Sequence, residues 1–104
     1  MIVWTKDAEE KFDKIVSFLE NEYSAKTAER FVKRINVKID LLKLYPEIGR
    51  PSQKAKDVRM LSIHKHYRMF YRVKDNYVGI IDFFNTKQDP KKKSVLTQLL
   101  FAFL

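Results

Sequence analysis

A change of hydrophobic period near Pro46 constrains this chain more than any other feature. Before it, apolar residues recur every three or four positions; after it, they alternate or form short runs. Ala8, Phe12, Ile15, Val16, Leu19 and Tyr23 fall on one helical stripe, with charged residues filling the opposite face. Thr5 stands where a cap is needed, and Asp7, Glu9 and Glu10 favour the positive end of the helix it would start. Ser24 can cap a second helix whose stripe is Ala28, Phe31, Val32, Ile35, Ile39 and Leu42, and Pro46 stops it. Two amphipathic helices joined so briefly predict an antiparallel hairpin with one shared apolar side. Both stripes read as core, and neither contains a cofactor box.

Residues 1–4 form a short apolar run with strand character. Beyond Pro46, residues 50–56 read as a basic loop and residues 57–63 as a strand. In the next strand, Tyr67, Met69, Tyr71 and Val73 point one way, and His66, Arg68, Phe70 and Arg72 the other. Lys74, Asp75 and Asn76 supply turn chemistry, and residues 77–84 suit a central strand covered on both faces. The expected order is strand, helix, helix, strand, strand, strand. This is an α+β fold whose helices cover one sheet face and leave the other partly open. Residues 94–104 carry no charged side chain, so they predict an apolar C-terminal helix or strand. We expect a domain over residues 1–93, with the tail docked on it or on the mate in a homodimer.

The chain has 104 residues and no cysteine, which suits one domain and excludes thiol, zinc-finger and iron–sulfur chemistry. No motif has strong metal-ligand spacing and no glycine-rich phosphate loop occurs, so neither metal nor cofactor is expected. Charges near the start and the absence of a membrane-length apolar run predict a cytoplasmic protein with no membrane contact. The net charge is +8. Residues 1–49 hold nine Lys/Arg and nine Asp/Glu, whereas residues 50–93 hold twelve against four. That asymmetry suggests a neutral scaffold presenting a basic surface to a polyanion or an acidic protein.

Three clusters could carry chemistry. Arg68 and Arg72 share a strand face with Phe70 between them, and Arg59 can join them by cross-strand pairing. Guanidinium forks beside an aromatic ring suit phosphates and splayed bases. Equally, these arginines could pair with Asp57, Asp82 or Asp89. In the second cluster, His64, Lys65 and His66 lie beside a turn, where His66 could serve as an acid or base. The third is the strand end at Asn85, Thr86, Lys87 and Gln88, followed by Lys91, Lys92 and Lys93, which could meet a phosphate backbone or be a solvated loop. Arg50, Arg59, Arg68, Phe70, Arg72, Lys87, Lys91, Lys92 and Lys93 are therefore the candidate contacts to nucleic acid or another target. Arg59, Arg68, Arg72, Lys87 and His66 are the candidates for catalysis.

In order and spacing, several short pieces resemble the RelE/ParE toxin superfamily, which includes plasmid stabilisation proteins. They are Val3, Trp4, Thr5 and Ala8; Ala28 and Phe31; Leu44, Pro46, Gly49 and Arg50; Val58, Arg59 and Leu61; Tyr67, Arg68, Tyr71, Arg72 and Val73; and Phe84 with residues 86–90. The resemblance implies a helical hairpin on a small, mostly antiparallel sheet. It also implies a growth-inhibiting toxin neutralised by a cognate antitoxin from an adjacent gene. Its two mechanisms are ParE-like interference with DNA gyrase and RelE-like ribosome-dependent cleavage of mRNA. RelE-like nucleases use basic sheet residues, which Arg59, Arg68 and Arg72 could match, with Lys87 stabilising charge. Several also place a histidine or tyrosine at the end of the last strand, and residues 83–88 contain neither. The ParE-like reading is therefore preferred, with the endoribonuclease as the alternative. A decayed toxin or simple RNA-binding module is the third reading.

Overall fold

A computed structural model of the chain describes residues 1–52, 55–64 and 66–86. Its elements are β1 (Ile2–Trp4), α1 (Lys6–Glu22), α2 (Ala25–Leu44), β2 (Arg50–Pro51), β3 (Val58–His64), β4 (Tyr67–Val73) and β5 (Val78–Asn85). The strands form one five-stranded sheet in the order β1-β5-β4-β3-β2. Strand β1 runs parallel to β5, its neighbour across the long connection from α1 to β4; the other neighbours are antiparallel.

Local chemistry sets the helix ends. Thr5 is extended, and its hydroxyl accepts from the Ala8 amide at 3.1 Å. The Ser24 hydroxyl accepts from the Thr27 amide at 3.0 Å. Each cap satisfies one of the amides that a helix start leaves without a partner. The second helix ends at Leu44, one residue before Tyr45 and two before Pro46. Proline would remove the next backbone donor and crowd the preceding turn.

Ala8, Leu19, Ala28, Phe31, Ile35 and Leu42 bury the helical stripes against Tyr67, Met69, Tyr71, Ile80 and Phe83 of the sheet. Tyr23 departs from the expected stripe: it caps α1 with non-helical dihedrals and stays exposed. The basic segment after Gly49 is likewise not all loop, since Arg50 pairs with Met60 and Pro51 with Arg59 as strand β2. Strand β5 is covered on both faces only in its first half, from Val78 to Ile80. Lys65, Lys87, Lys91, Lys92, Lys93 and the tail at residues 94–104 lie outside the described residues.

The segment between α2 and β2 is pinned from below. The Tyr71 hydroxyl donates to the Pro46 carbonyl at 2.9 Å and accepts from the Gly49 amide at 2.8 Å. A Cβ on Gly49 would come within 2.5 Å of that hydroxyl and 2.8 Å of the Met60 carbonyl, so the close approach requires glycine.

Candidate functional site

Pairing register assigns each candidate residue to a surface. In an antiparallel pair, residues directly opposite share a face. One row runs Ser62, Arg68, Phe84; the next runs Arg50, Met60, Phe70, Asp82; the third runs Val58, Arg72, Gly79. Arg50, Arg68, Phe70 and Arg72 therefore lie on the face opposite to the one that Tyr67, Met69 and Tyr71 bury under the helices. Arg68 and Arg72 flank Phe70 as the alternation predicts.

Two local contacts shape this face. The Arg68 guanidinium lies 3.9 Å from the Met60 sulfur. Arg72 Nε lies 3.7 Å from Asp57, which Lys74 contacts at 2.8 Å. The bond from Lys74, reinforced by the charges of Lys74 and Arg72, holds the Asp57 carboxyl below its ordinary range. Asp57 has φ 59°, a left-handed conformation that aspartate tolerates better than most residues. The predicted pairing of a sheet arginine with Asp57 is thus observed for Arg72. Half-exposed as the pair is, the cationic character survives, with Arg72 and Lys74 sharing one carboxylate.

Arg59 does not join this set. It stands opposite Tyr71, on the other face. Its guanidinium donates from Nη1 to the Glu47 carbonyl at 3.1 Å and the Gly49 carbonyl at 2.8 Å. Arg59 and Tyr71 together tie down the segment between α2 and β2.

His66 belongs to a third location. A groove of about 450 Å³ opens between the helical hairpin and the tip of the β3–β4 hairpin. Its apolar wall includes Phe18, Leu19, Phe31 and Tyr67, and its polar residues include Arg30, Arg34, His64, His66 and Asn85, with no carboxylate among the described lining residues. Phe31 and Tyr67 meet edge to face at 5.0 Å, and the two imidazoles at 5.5 Å. Burial pushes the Tyr67 hydroxyl above the ordinary tyrosine range and so keeps it neutral. Asn85 donates to that hydroxyl at 3.5 Å, and the Thr86 amide donates to the His66 carbonyl at 2.8 Å.

Arg30 and Arg34 are the groove residues that charge totals conceal. The even balance of residues 1–49 comes from two unequal helices: α1 holds three Lys/Arg and six Asp/Glu, and α2 six against two. Lys26, Arg30, Arg34 and Lys38 repeat at every fourth position, a spacing that makes them neighbours on one ridge. The first half is thus neutral in sum, with its positive charge gathered on α2.

Among the described residues no group of three or more His, Asp or Glu is placed to hold a metal, and no helix is long and apolar enough to cross a membrane. Residues 2–90 match the family model described as the ParE toxin of type II toxin–antitoxin systems, parDE. The chain belongs to that family, within the ParE/RelE superfamily. No curated protein matches the sequence. Among solved structures, it is similar to one titled the chromosomal ParDE system from P. aeruginosa, at 19% identity and TM-score 0.69, covering 83% of this chain and 95% of that one. It is also similar to a YoeB/ParE toxin from Agrobacterium tumefaciens, at 23% identity and TM-score 0.61, covering 81% and 95%. A YoeB dimer from Staphylococcus aureus aligns at 23% identity and TM-score 0.56, covering 80% and 92%. At these identities the structures attest the shared fold.

Proposed function

We propose that this toxin inhibits growth by ParE-like interference with DNA gyrase. It would engage its target through the open sheet face that carries Arg50, Arg68, Phe70 and Arg72. One observation carries the preference for binding over catalysis: the candidate catalytic residues among the described ones are dispersed. Arg68 and Arg72 lie on the open face, Arg59 is committed to the Glu47 and Gly49 carbonyls, and His66 lines a groove that includes neither Arg68 nor Arg72. A general base must reach the proton it abstracts while a cation reaches the developing charge, and these groups do not converge on one point. The cognate antitoxin, encoded by an adjacent gene, would cover the basic face with a segment that folds on binding.

The ribosome-dependent nuclease has one observation in its favour. Tyr67 stands opposite Asn85, and His66 lines the same groove as both, so a histidine and a tyrosine lie near the end of β5. Inducing the gene alone in a bacterium separates the readings. Under the gyrase reading, supercoiling fails first while translated mRNA stays intact, and the Arg68→Ala/Arg72→Ala double variant relieves the arrest. Codon-linked cuts found by primer extension would overturn it in favour of the nuclease. Normal growth with a folded protein would overturn both and favour a decayed toxin.

A further inference from the structure

The groove beside α2 has no role in the gyrase reading, and its lining is chemically one-sided. Two guanidiniums and two imidazoles surround a wall of aromatic rings, and among the described residues no Asp or Glu lines it. Arg30 and Arg34 lie one helical turn apart, about 5–6 Å between Cβ atoms. With Lys26 and Lys38 they form a ridge of four cations. None of the four makes an ion pair among the described residues, although Lys33 and Lys43 on the same helix pair with Glu29 and Asp40. Like charges at this spacing repel along a helix, so the ridge opposes local stability. A site for an anion explains what helix stability does not.

We propose that this groove is a nucleotide site, in which Arg30 and Arg34 clamp a phosphate and the exposed rings of Phe18 and Tyr23 pack against the base. Guanidinium forks match phosphate oxygens, and aromatic or imidazole rings and guanidinium planes are the usual surfaces for an unstacked base. The size is right for one small ligand, since pockets of about 300–1,000 Å³ bury most of a molecule of that class. The groove is distinct from the open sheet face and does not depend on the gyrase reading. The nucleotide can be a free mononucleotide or the phosphorylated end of a single strand, since both present the same base and phosphate.

The test is a titration of the ¹⁵N-labelled full-length protein with adenosine 5′-monophosphate, followed by NMR. We expect the largest shifts at Arg30, Arg34, His64 and His66, and at least ten-fold weaker binding in the Arg30→Gln/Arg34→Gln variant. The Lys33→Gln/Lys43→Gln variant removes the same charge from the same helix away from the groove and should bind as the wild type does. Adenosine and inorganic phosphate should each bind at least ten-fold more weakly than the nucleotide. Comparing the mononucleotide with 5′-phosphorylated and 5′-hydroxyl trinucleotides identifies the source. A free-nucleotide site prefers the monophosphate; a strand-end site prefers the phosphorylated trinucleotide. The proposal is overturned if the nucleotide does not bind at millimolar concentration, or if both charge-removing variants weaken it equally. It is also overturned if an acidic, tryptophan-containing peptide binds the groove more tightly than any nucleotide.

Discussion

Strand β4 presents two surfaces on one backbone. Tyr67, Met69 and Tyr71 are buried under the helices, while Arg68, Phe70 and Arg72 stand half-buried or exposed on the far side. Alternation alone separates them by one residue, so a slip of one position would exchange core for surface. The buried set cannot vary in volume without cost, and the outer set can vary with little cost to the fold. A residue that matters on the outer set therefore matters for binding. The comparison also sorts arginines: Arg59 on β3 has the side chain of Arg68 and Arg72 but the duties of Tyr71.

The largest effects should come from the buried surface. Tyr71 is fully buried and holds both the Pro46 carbonyl and the Gly49 amide. Tyr71→Ala should cost about 3–5 kcal/mol, the range for truncating a large core aromatic, and leave little folded protein. Tyr71→Phe keeps the ring and strands two backbone groups, for about 1–3 kcal/mol. Urea denaturation monitored by tryptophan fluorescence measures both. A Tyr71→Phe midpoint equal to that of wild type would show that the hydroxyl does not pin the segment.

Arg59 tests the sorting of arginines. Its two bonds to backbone carbonyls are charge-assisted and only partly sheltered, so Arg59→Ala should cost about 1.5 kcal/mol, the low end for such bonds. Arg68→Ala and Arg72→Ala should each change stability by no more than about 0.5 kcal/mol, the usual range for surface substitutions. Melting curves of the three variants at one pH decide the matter. If Arg59→Ala melts with the wild type while Arg68→Ala does not, the assignment of duties is reversed.

How far this was legible in the sequence depended on how local each cause was. The caps at Thr5 and Ser24, the helical stripes and the β4 alternation arise within a few residues, and the sequence shows them directly. Strand β2 is two residues long and exists only because β3 lies beside it, so residues 50–51 read as loop. The face of Arg59 is set by its register against Tyr71, which depends on how the β3–β4 connection closes; there the register also shifts between Ser62 and His64. Lys26, Arg30, Arg34 and Lys38 were visible at helical spacing, but summing charge over residues 1–49 cancelled them against the acids of α1. The groove itself joins α1, α2 and the strand tips, a tertiary coincidence that no local pattern announces.

The smallest effect concerns the boundary between the two surfaces, at Asp57. Its folded pKa is lowered, chiefly by the bond from Lys74, with the charges of Lys74 and Arg72 acting in the same direction. A carboxyl whose folded pKa lies below its unfolded value stabilises the fold above the unfolded value, ordinarily 3.8. That contribution disappears as pH falls from about 3.8 through the lowered folded value. Because the group is exposed, the expected change is a small extra drop in melting temperature on acidification, weaker still in high salt. Asp57→Asn removes the charge but keeps a residue that accepts positive φ, so it should lose only this pH-dependent part. Asp57→Ala also meets the strain of φ 59° and should melt lower than Asp57→Asn at every pH. Thermal melts from pH 6 down to pH 3, at two salt concentrations, separate the two contributions. Parallel pH profiles for wild type and Asp57→Asn would show that the Lys74–Asp57–Arg72 cluster adds nothing to stability, leaving Arg72 as available to a target as Arg68.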